Sequence, residues 1–286
     1  MRDLEVMASF TSRKDYWEFA RHVKTTSRYL RDEHSTRFLE AVLETSATRH
    51  LAAPAGTGLW RAQLGHVPGM ESITDEHGIE IDAIERPEPY SACRMKPQGD
   101  RAQEGRVNAK GIPCLYLANN RDTAMLETRP WVGSYVSVAK FVTSRDLLLV
   151  DCAKDKKSPG LWLERDGQFR TSGTPQQLEK AIWWHINQAF SEPVTRSDDL
   201  AEYAPTQILA EYFKSHHFDG ILYGSKLGRG INVAIFDTSA AEVASCALYE
   251  VRGVSMDFQD SHAPYCVDEY AKMLRFDLTD EPDENP

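Results

Sequence analysis

Residues 105–128 read "GRVNAKGIPCLYLANNRDTAMLET", which puts Gly105, Arg106, Tyr116 and Glu127 into one stretch. Each residue type has a chemistry. A glycine lets the backbone take conformations closed to other residues or approach a ligand closely. An arginine offers phosphate a bidentate fork. A tyrosine brings a flat face for a heterocycle and a hydroxyl. Glu127 sits about one helical turn past Asp122, near the strand-to-helix turn. Together they suit a nucleotide whose glycosidic bond is to be broken. Each also has a plainer reading: a solvated Gly-Arg turn, a half-buried core tyrosine, a surface carboxylate. On this stretch alone both readings stand.

The surrounding pattern supplies the elements that must position these residues. Residues 11–50 read as two helices. The first is capped by Thr11 or Ser12 and buries Tyr16, Phe19, Ala20 and Val23. The second is capped by Ser35 and faces inward with Phe38, Leu39, Val42 and Leu43. "AAPAGTG" at 52–58 is a junction. Strands are predicted at 59–65 and 112–118, with residues 66–104 an irregular insertion between them. A helix then starts at Asp122 and stops at Pro130. "SYVSVAKFV" (134–142) alternates as a half-exposed strand and "DLLLVDCA" (146–153) reads as a buried one. Helices follow at 174–190 and 206–218, then strands at 219–225, 231–237 and 246–258. Short strands mixed irregularly with few helices predict an α+β fold, and no GxGxxG follows a strand to support a dinucleotide-binding βαβ unit. The expected organisation is an N-terminal helical extension (1–55), a catalytic domain (56–258) and an acidic tail (259–286).

Composition bounds the partners. With 286 residues, 41% apolar and a net charge of −10, the chain can build a sizeable core but does not suit broad binding to nucleic acid, which needs concentrated Lys and Arg. One local basic pocket remains compatible with that charge. The five cysteines (Cys93, Cys114, Cys152, Cys246 and Cys266) are widely spaced with no CxxC. They read as reduced thiols of a cytoplasmic protein. The first residues are too polar for a signal peptide, and no apolar run approaches the roughly 18 residues of a membrane span.

Three separate stretches carry a family resemblance. "GRVNAKG", "LYLA" and "TAMLE" resemble, in order, the "GR-x-N-P-x-G", "LYLA" and "TA-x-x-E" elements of the RES domain, found in bacterial RES–Xre toxin–antitoxin pairs. Upstream, "LWRA" with Trp60 and Arg61 matches an aromatic–Arg pair on a strand. Downstream, "TQILAEYFKSHHFDGILYGS" and "NVAIFD" match further elements, so the likeness spans about residues 59–240.

The resemblance implies a fold, a reaction and roles. The fold is like that of ADP-ribosyltransferases of the diphtheria-toxin type, a mixed or antiparallel sheet with flanking helices. Members degrade NAD+, releasing nicotinamide by hydrolysis or by transfer of ADP-ribose to phosphate, and some relatives modify a protein instead. By motif position the family's Arg, Glu and Ser fall on Arg61 and Arg106, Glu127 and Ser225, and its active-site tyrosine on Tyr116. Glu127 would then accept from the ribose 2′-hydroxyl and stabilise an oxocarbenium-like centre. Tyr116 would stack on nicotinamide. Arg61 and Arg106 would clamp the pyrophosphate or orient Glu127, the Gly105 backbone would help to hold the substrate, and Ser225 would position Glu127 or the ribose. NAD+ enters as substrate, and neither metal nor further cofactor is needed, because nicotinamide is a good leaving group. An Xre-type antitoxin or other immunity protein is the implied partner, and homo-oligomers are compatible with the family. A macromolecular ADP-ribosyltransferase and a catalytically idle nucleotide-binding module are the alternative readings.

The chain departs from the family pattern at Val107 and Ala109, where Trp and Pro are common, and in the long gap between Arg61 and Arg106. Other motifs point to less. His216-His217 lacks the neighbours of a zinc site, Trp183-Trp184 reads as core, and "GSKLGRG" lacks P-loop spacing.

Overall fold

The computed structural model describes residues 9–154, 174–192 and 200–256. The expected acidic tail and Cys266 lie outside the described residues. The chain divides into two units, Met1–Gly253 and Val254–Pro286, and the first carries every element below.

Helices α1 (Asp15–Thr25) and α2 (Glu33–Ser46) lead into strands β1 (His50–Ala53) and β2 (Gly58–Leu64). The pair β3 (Val67–Thr74) and β4 (Glu80–Glu88) follows, then the short helix α3 (Ala92–Met95). After β5 (Leu115–Ala118) and α4 (Arg121–Glu127) come β6 (Tyr135–Thr143) and β7 (Leu147–Asp151). Helices α5 (Pro175–Ser191) and α6 (Ala204–Ser215) precede β8 (Gly220–Gly224), β9 (Ile231–Ile235) and β10 (Ala241–Glu250). Among the described residues eight strands form one sheet in the order β1-β7-β8-β9-β5-β2-β6-β10. Its β7–β8 pair is parallel and the others are antiparallel. This is the α+β class expected from the pattern of elements.

The period of two along each strand sorts its side chains onto two faces. Val150, Ile221 and Ala234 join Phe19, Phe38, Leu39, Trp183, Ile186, Phe190 and Phe213 from the four long helices in one core. Their neighbours Leu149, Leu222, Val233 and Ile235 join Leu59, Met95 and Phe141 in a second. The sheet cannot be flat. β6 and β7 lie five positions apart in the order, which at strand spacing is about 24 Å. The short link from Thr143 to Leu147 reaches only about 14 Å. The sheet therefore curls, and the second core lies inside the curl.

β8 runs close to β9 at Gly220, where a Cβ would overlap the backbone carbonyl oxygen of Ala234. A backbone atom in a central strand cannot step aside. Gly220→Ala is therefore expected to cost about 1–3 kcal/mol, read as a lower urea midpoint. An unchanged midpoint would show that the two strands can separate.

Several local expectations are corrected. Residues 66–104 are not irregular: β3 and β4 pair in antiparallel register from Val67↔Glu88 to Thr74↔Glu80. Asp75 Oδ1 accepts from the His77 and Ile79 amides at 2.9 Å each, and Gly78 takes a φ of 77° to close the turn. Seven carboxylates between 67 and 88 hid this alternation. Neither Thr11 nor Ser12 caps α1; both give their amides to Asp15, at 2.7 and 3.1 Å. The α2 cap is Asp32, which accepts from Ser35 N at 2.7 Å. The α4 cap is Asn120, which accepts from Thr123 N at 2.8 Å, not Asp122. β6 is mostly buried and not half exposed, with Lys140 its one exposed residue. The last strand begins at Ala241 and ends at Glu250, earlier than expected. Among the described residues no helix is long and apolar enough to cross a membrane.

Candidate functional site

A pocket of about 320 Å³ opens where β2, β5, β8, β9 and α4 meet. Its walls include Gly105, Arg106, Tyr116 and Glu127 from the one stretch 105–128, and Arg61 from more than forty residues upstream. Ser225 is not on the wall but reaches it through Glu127. The structure thus brings together the six residues singled out in the sequence.

Glu127 forms the acidic pole. It is the last residue of α4, so it lies at the far end of the helix, not beside the strand-to-helix turn expected from an Asp122 cap. The helix stops there because Arg129 takes a φ of 49° ahead of Pro130. Two donors converge on its Oε1: Ser225 Oγ at 2.7 Å and Asn232 Nδ2 at 2.7 Å. Among the described residues Oε2 takes no hydrogen bond, and Glu127 lines the pocket.

The basic pole is made of Arg61 and Arg106. Arg61 Nη1 donates to the Tyr116 carbonyl at 3.2 Å, and its Nε is buried without a partner. Burial lowers its guanidinium from the ordinary arginine value. Arg106 Nη1 donates to the Phe190 carbonyl at 2.9 Å. Among the described residues neither guanidinium forms an ion pair. An arginine stays charged in a protein, so the pocket carries two cationic groups that no described residue neutralises.

The loop that presents Gly105 and Arg106 is held from three sides. Gln207 on α6 donates Nε2 to the carbonyls of Gly105 at 2.8 Å and Asn108 at 3.0 Å. Asn108 Nδ2 donates back to Gln103, Ala109 and Ile112 carbonyls. Tyr116 Oη donates to Asn108 Oδ1 at 2.6 Å and accepts from Val107 N at 3.0 Å. Burial, ahead of Cys114 and Tyr223 nearby, pushes this hydroxyl well above the usual phenol range. A Cβ at Gly105 would lie 2.5 Å from it, so the loop needs glycine there. Tyr116 therefore offers the pocket its ring, while its hydroxyl is spent on the loop. Tyr116→Phe leaves two buried polar groups unpaired. The expected cost is about 1–3 kcal/mol of stability. Chemical denaturation checks this, and wild-type stability would mean the hydroxyl holds nothing.

Sequence reasoning missed Asn232, Gln207, Tyr203 and Tyr223. Gln207 was visible as the Q of "TQILA" and Asn232 as one amide in the apolar run "INVAI". A polar side chain in a buried strand costs free energy unless bonded, which was the available signal. Tyr223 stood in the matched element "FDGILYGS", two residues before Ser225, whereas Tyr203 lines the pocket with no local pattern to announce it.

No curated protein matches this chain. Among solved structures, a chain of the crystal structure of the M. tuberculosis MbcT–MbcA toxin–antitoxin complex is similar at 12% identity and a TM-score of 0.36, over 73% of this chain and 92% of that one. The model of the RES domain matches residues 82–259, well over half of the chain. Gly105, Arg106, Tyr116, Glu127 and Ser225 fall inside that match, and Arg61 lies upstream of it. With this match over most of the sheet and of the pocket wall, the chain belongs to the RES-domain family.

Proposed function

We propose that this pocket binds NAD+ and breaks its nicotinamide–ribose bond, so that the protein acts as an NAD+-degrading toxin. One observation carries the reading: two guanidiniums with no carboxylate partner among the described residues share a pocket with a glutamate whose Oε2 takes no hydrogen bond from them. The fitting ligand is anionic at one end and becomes cationic at the other. A diphosphate satisfies the arginines, and a ribose losing pyridinium develops positive charge beside Glu127. The volume is near the lower end of small-ligand sites, which suits the nicotinamide-ribose end with the adenosine outside.

In this reading the C1′–N bond breaks and its electron pair leaves with neutral nicotinamide. The oxocarbenium centre left behind takes water or phosphate. Water gives ADP-ribose and a proton, and phosphate gives the 1″-phosphate. Glu127 stabilises the cation through Oε2, and Arg61 and Arg106 hold the diphosphate. The family resemblance adds an antitoxin, of Xre type or another immunity protein, as the partner that silences the enzyme.

The test is direct. Purified protein is incubated with NAD+ with and without phosphate, and nicotinamide, ADP-ribose and its 1″-phosphate are separated and quantified. Nicotinamide release is the expected result, and the phosphate dependence assigns the acceptor. No release under either condition would overturn the proposal. Expression of the chain alone is expected to arrest growth, with NAD+ falling first.

A further inference from the structure

Asn232 is the least expected residue of the pocket. It lies on β9, between β8 and β5, opposite Tyr223 on one side and Ala118 on the other. Only 5% of it is exposed, amid Ile231, Val233 and Ala234. An amide buried on a central strand costs free energy unless it is bonded. Among the described residues its side chain forms one hydrogen bond, to Glu127 Oε1. A carboxylate oxygen accepts, so the NH₂ side of the amide must face Glu127 and the carbonyl side must point elsewhere. Among the described residues Oδ1 takes no hydrogen bond, and Asn232 lines the pocket.

Ser225 completes the geometry. Its Oγ accepts from Leu227 N at 3.2 Å and Gly228 N at 2.9 Å, which occupies both lone pairs. Its single proton therefore goes to Glu127. Oε1 is thus held by two donors from separate elements, the turn after β8 and the strand β9. One donor would leave the carboxylate free to swing about it; two fix its plane and keep Oε2 on the pocket side.

We infer that Asn232 is a positioning residue for Glu127 and a second acceptor toward the ligand. Nδ2 sets the carboxylate plane, and Oδ1 accepts from a ligand hydroxyl beside it. Two neighbouring acceptors, Oε2 and Oδ1, suit a vicinal diol, so the pocket selects an unmodified ribose ring. This inference rests on the reading that Glu127 acts at a ribose.

The experiment uses the full chain, with nicotinamide release over pH 5–8 and ADP-ribose affinity measured by calorimetry. Asn232→Asp keeps the shape and the acceptor but replaces the donor with a second carboxylate. It is expected to lower kcat about 10²-fold near pH 8 with little change in KM. The loss should shrink as pH falls, because like charges favour protonation of the pair and the introduced carboxyl, once protonated, can donate again. Asn232→Ala removes both groups. It is expected to lower kcat and to weaken ADP-ribose binding about five- to tenfold. A purely structural role would lower the melting temperature without changing the pH profile. If Asn232→Ala does not fold, the near-isosteric Asn232→Asp carries the test alone. A wild-type pH profile and a kcat within about twofold in Asn232→Asp, with active wild type and inactive Glu127→Gln beside it, would overturn the inference and leave the proposed function standing. A wild type that neither turns over NAD+ nor binds ADP-ribose would overturn both.

Discussion

Replacing Glu127 with glutamine is expected to lower kcat for nicotinamide release about 10³-fold while the fold stays intact. In the proposed reaction the magnitude follows from removing one charge at the place where the transition state gains one, a loss of about 3–4 kcal/mol. The fold survives because the glutamine carbonyl oxygen can still accept from Ser225 and Asn232, as Glu127 Oε1 does at 2.7 Å from each. Melting temperature should therefore barely move, and ADP-ribose should still bind through the arginines. Asp122, exposed on the same helix beside Arg121, is the control. Asp122→Asn should release nicotinamide at the wild-type rate. Full activity in Glu127→Gln would remove Glu127 from the chemistry and leave the pocket a binding site.

The second large effect has opposite signs in two measurements. Arg61 is a half-buried cation whose Nε is buried without an acceptor and which forms no ion pair among the described residues. Among those residues its side chain bonds to the Tyr116 carbonyl alone. Burying a charge without a counterion costs free energy. Arg61→Met, which fills similar volume without charge, should leave the ligand-free protein equally stable or raise its melting temperature by a few degrees. In the proposed complex the same change removes a charge-assisted contact to the diphosphate, worth about 1.5–3 kcal/mol. KM for NAD+ should then rise about 10- to 150-fold. A thermal melt without ligand and a steady-state titration check both halves. A structural arginine would behave the other way, with lower stability and an unchanged KM. That outcome would leave Arg106 alone to hold the phosphate.

What local sequence determines here is the identity of the elements and the residue types they carry. "LYLA" makes β5 because its apolar residues suit a buried strand, and Leu115, Leu117 and Ala118 are buried there. "TPQQLEKAIWWHINQAF" makes α5 because Thr174 and Gln177 form a capping box at its start and Trp183, Ile186 and Phe190 recur on one face. The motif order Arg61, Arg106, Tyr116, Glu127, Ser225 is likewise written in the chain, and each of these residues takes part in the pocket or in holding it. Where neighbouring polar residues compete, local pattern gives way. Asp32 and Asn120 cap helices expected to start at Ser35 and Asp122, and Asp15 caps the turn before α1. Each reversal depends on which nearby amide is left without a partner, which is a property of chain direction.

Tertiary structure alone decided what those residues do to one another. Glu127 meets Ser225 across 98 residues and Asn232 across 105. Gln207 reaches the Arg106 loop from 102 residues away. No spacing rule links such positions, because the path between them runs through a curled sheet whose closure depends on the pairing of β1 with β7 and of β2 with β6. The sequence therefore determined an arginine, a tyrosine and a glutamate on a loop, a strand and a helix. The fold decided that the tyrosine spends its hydroxyl on the loop, that the arginines find no ion pair among the described residues, and that the glutamate turns one oxygen into the protein and the other toward the pocket. Local sequence sets backbone preference, whereas hydrogen-bond satisfaction of a buried group depends on what the completed core brings within about 3 Å of it.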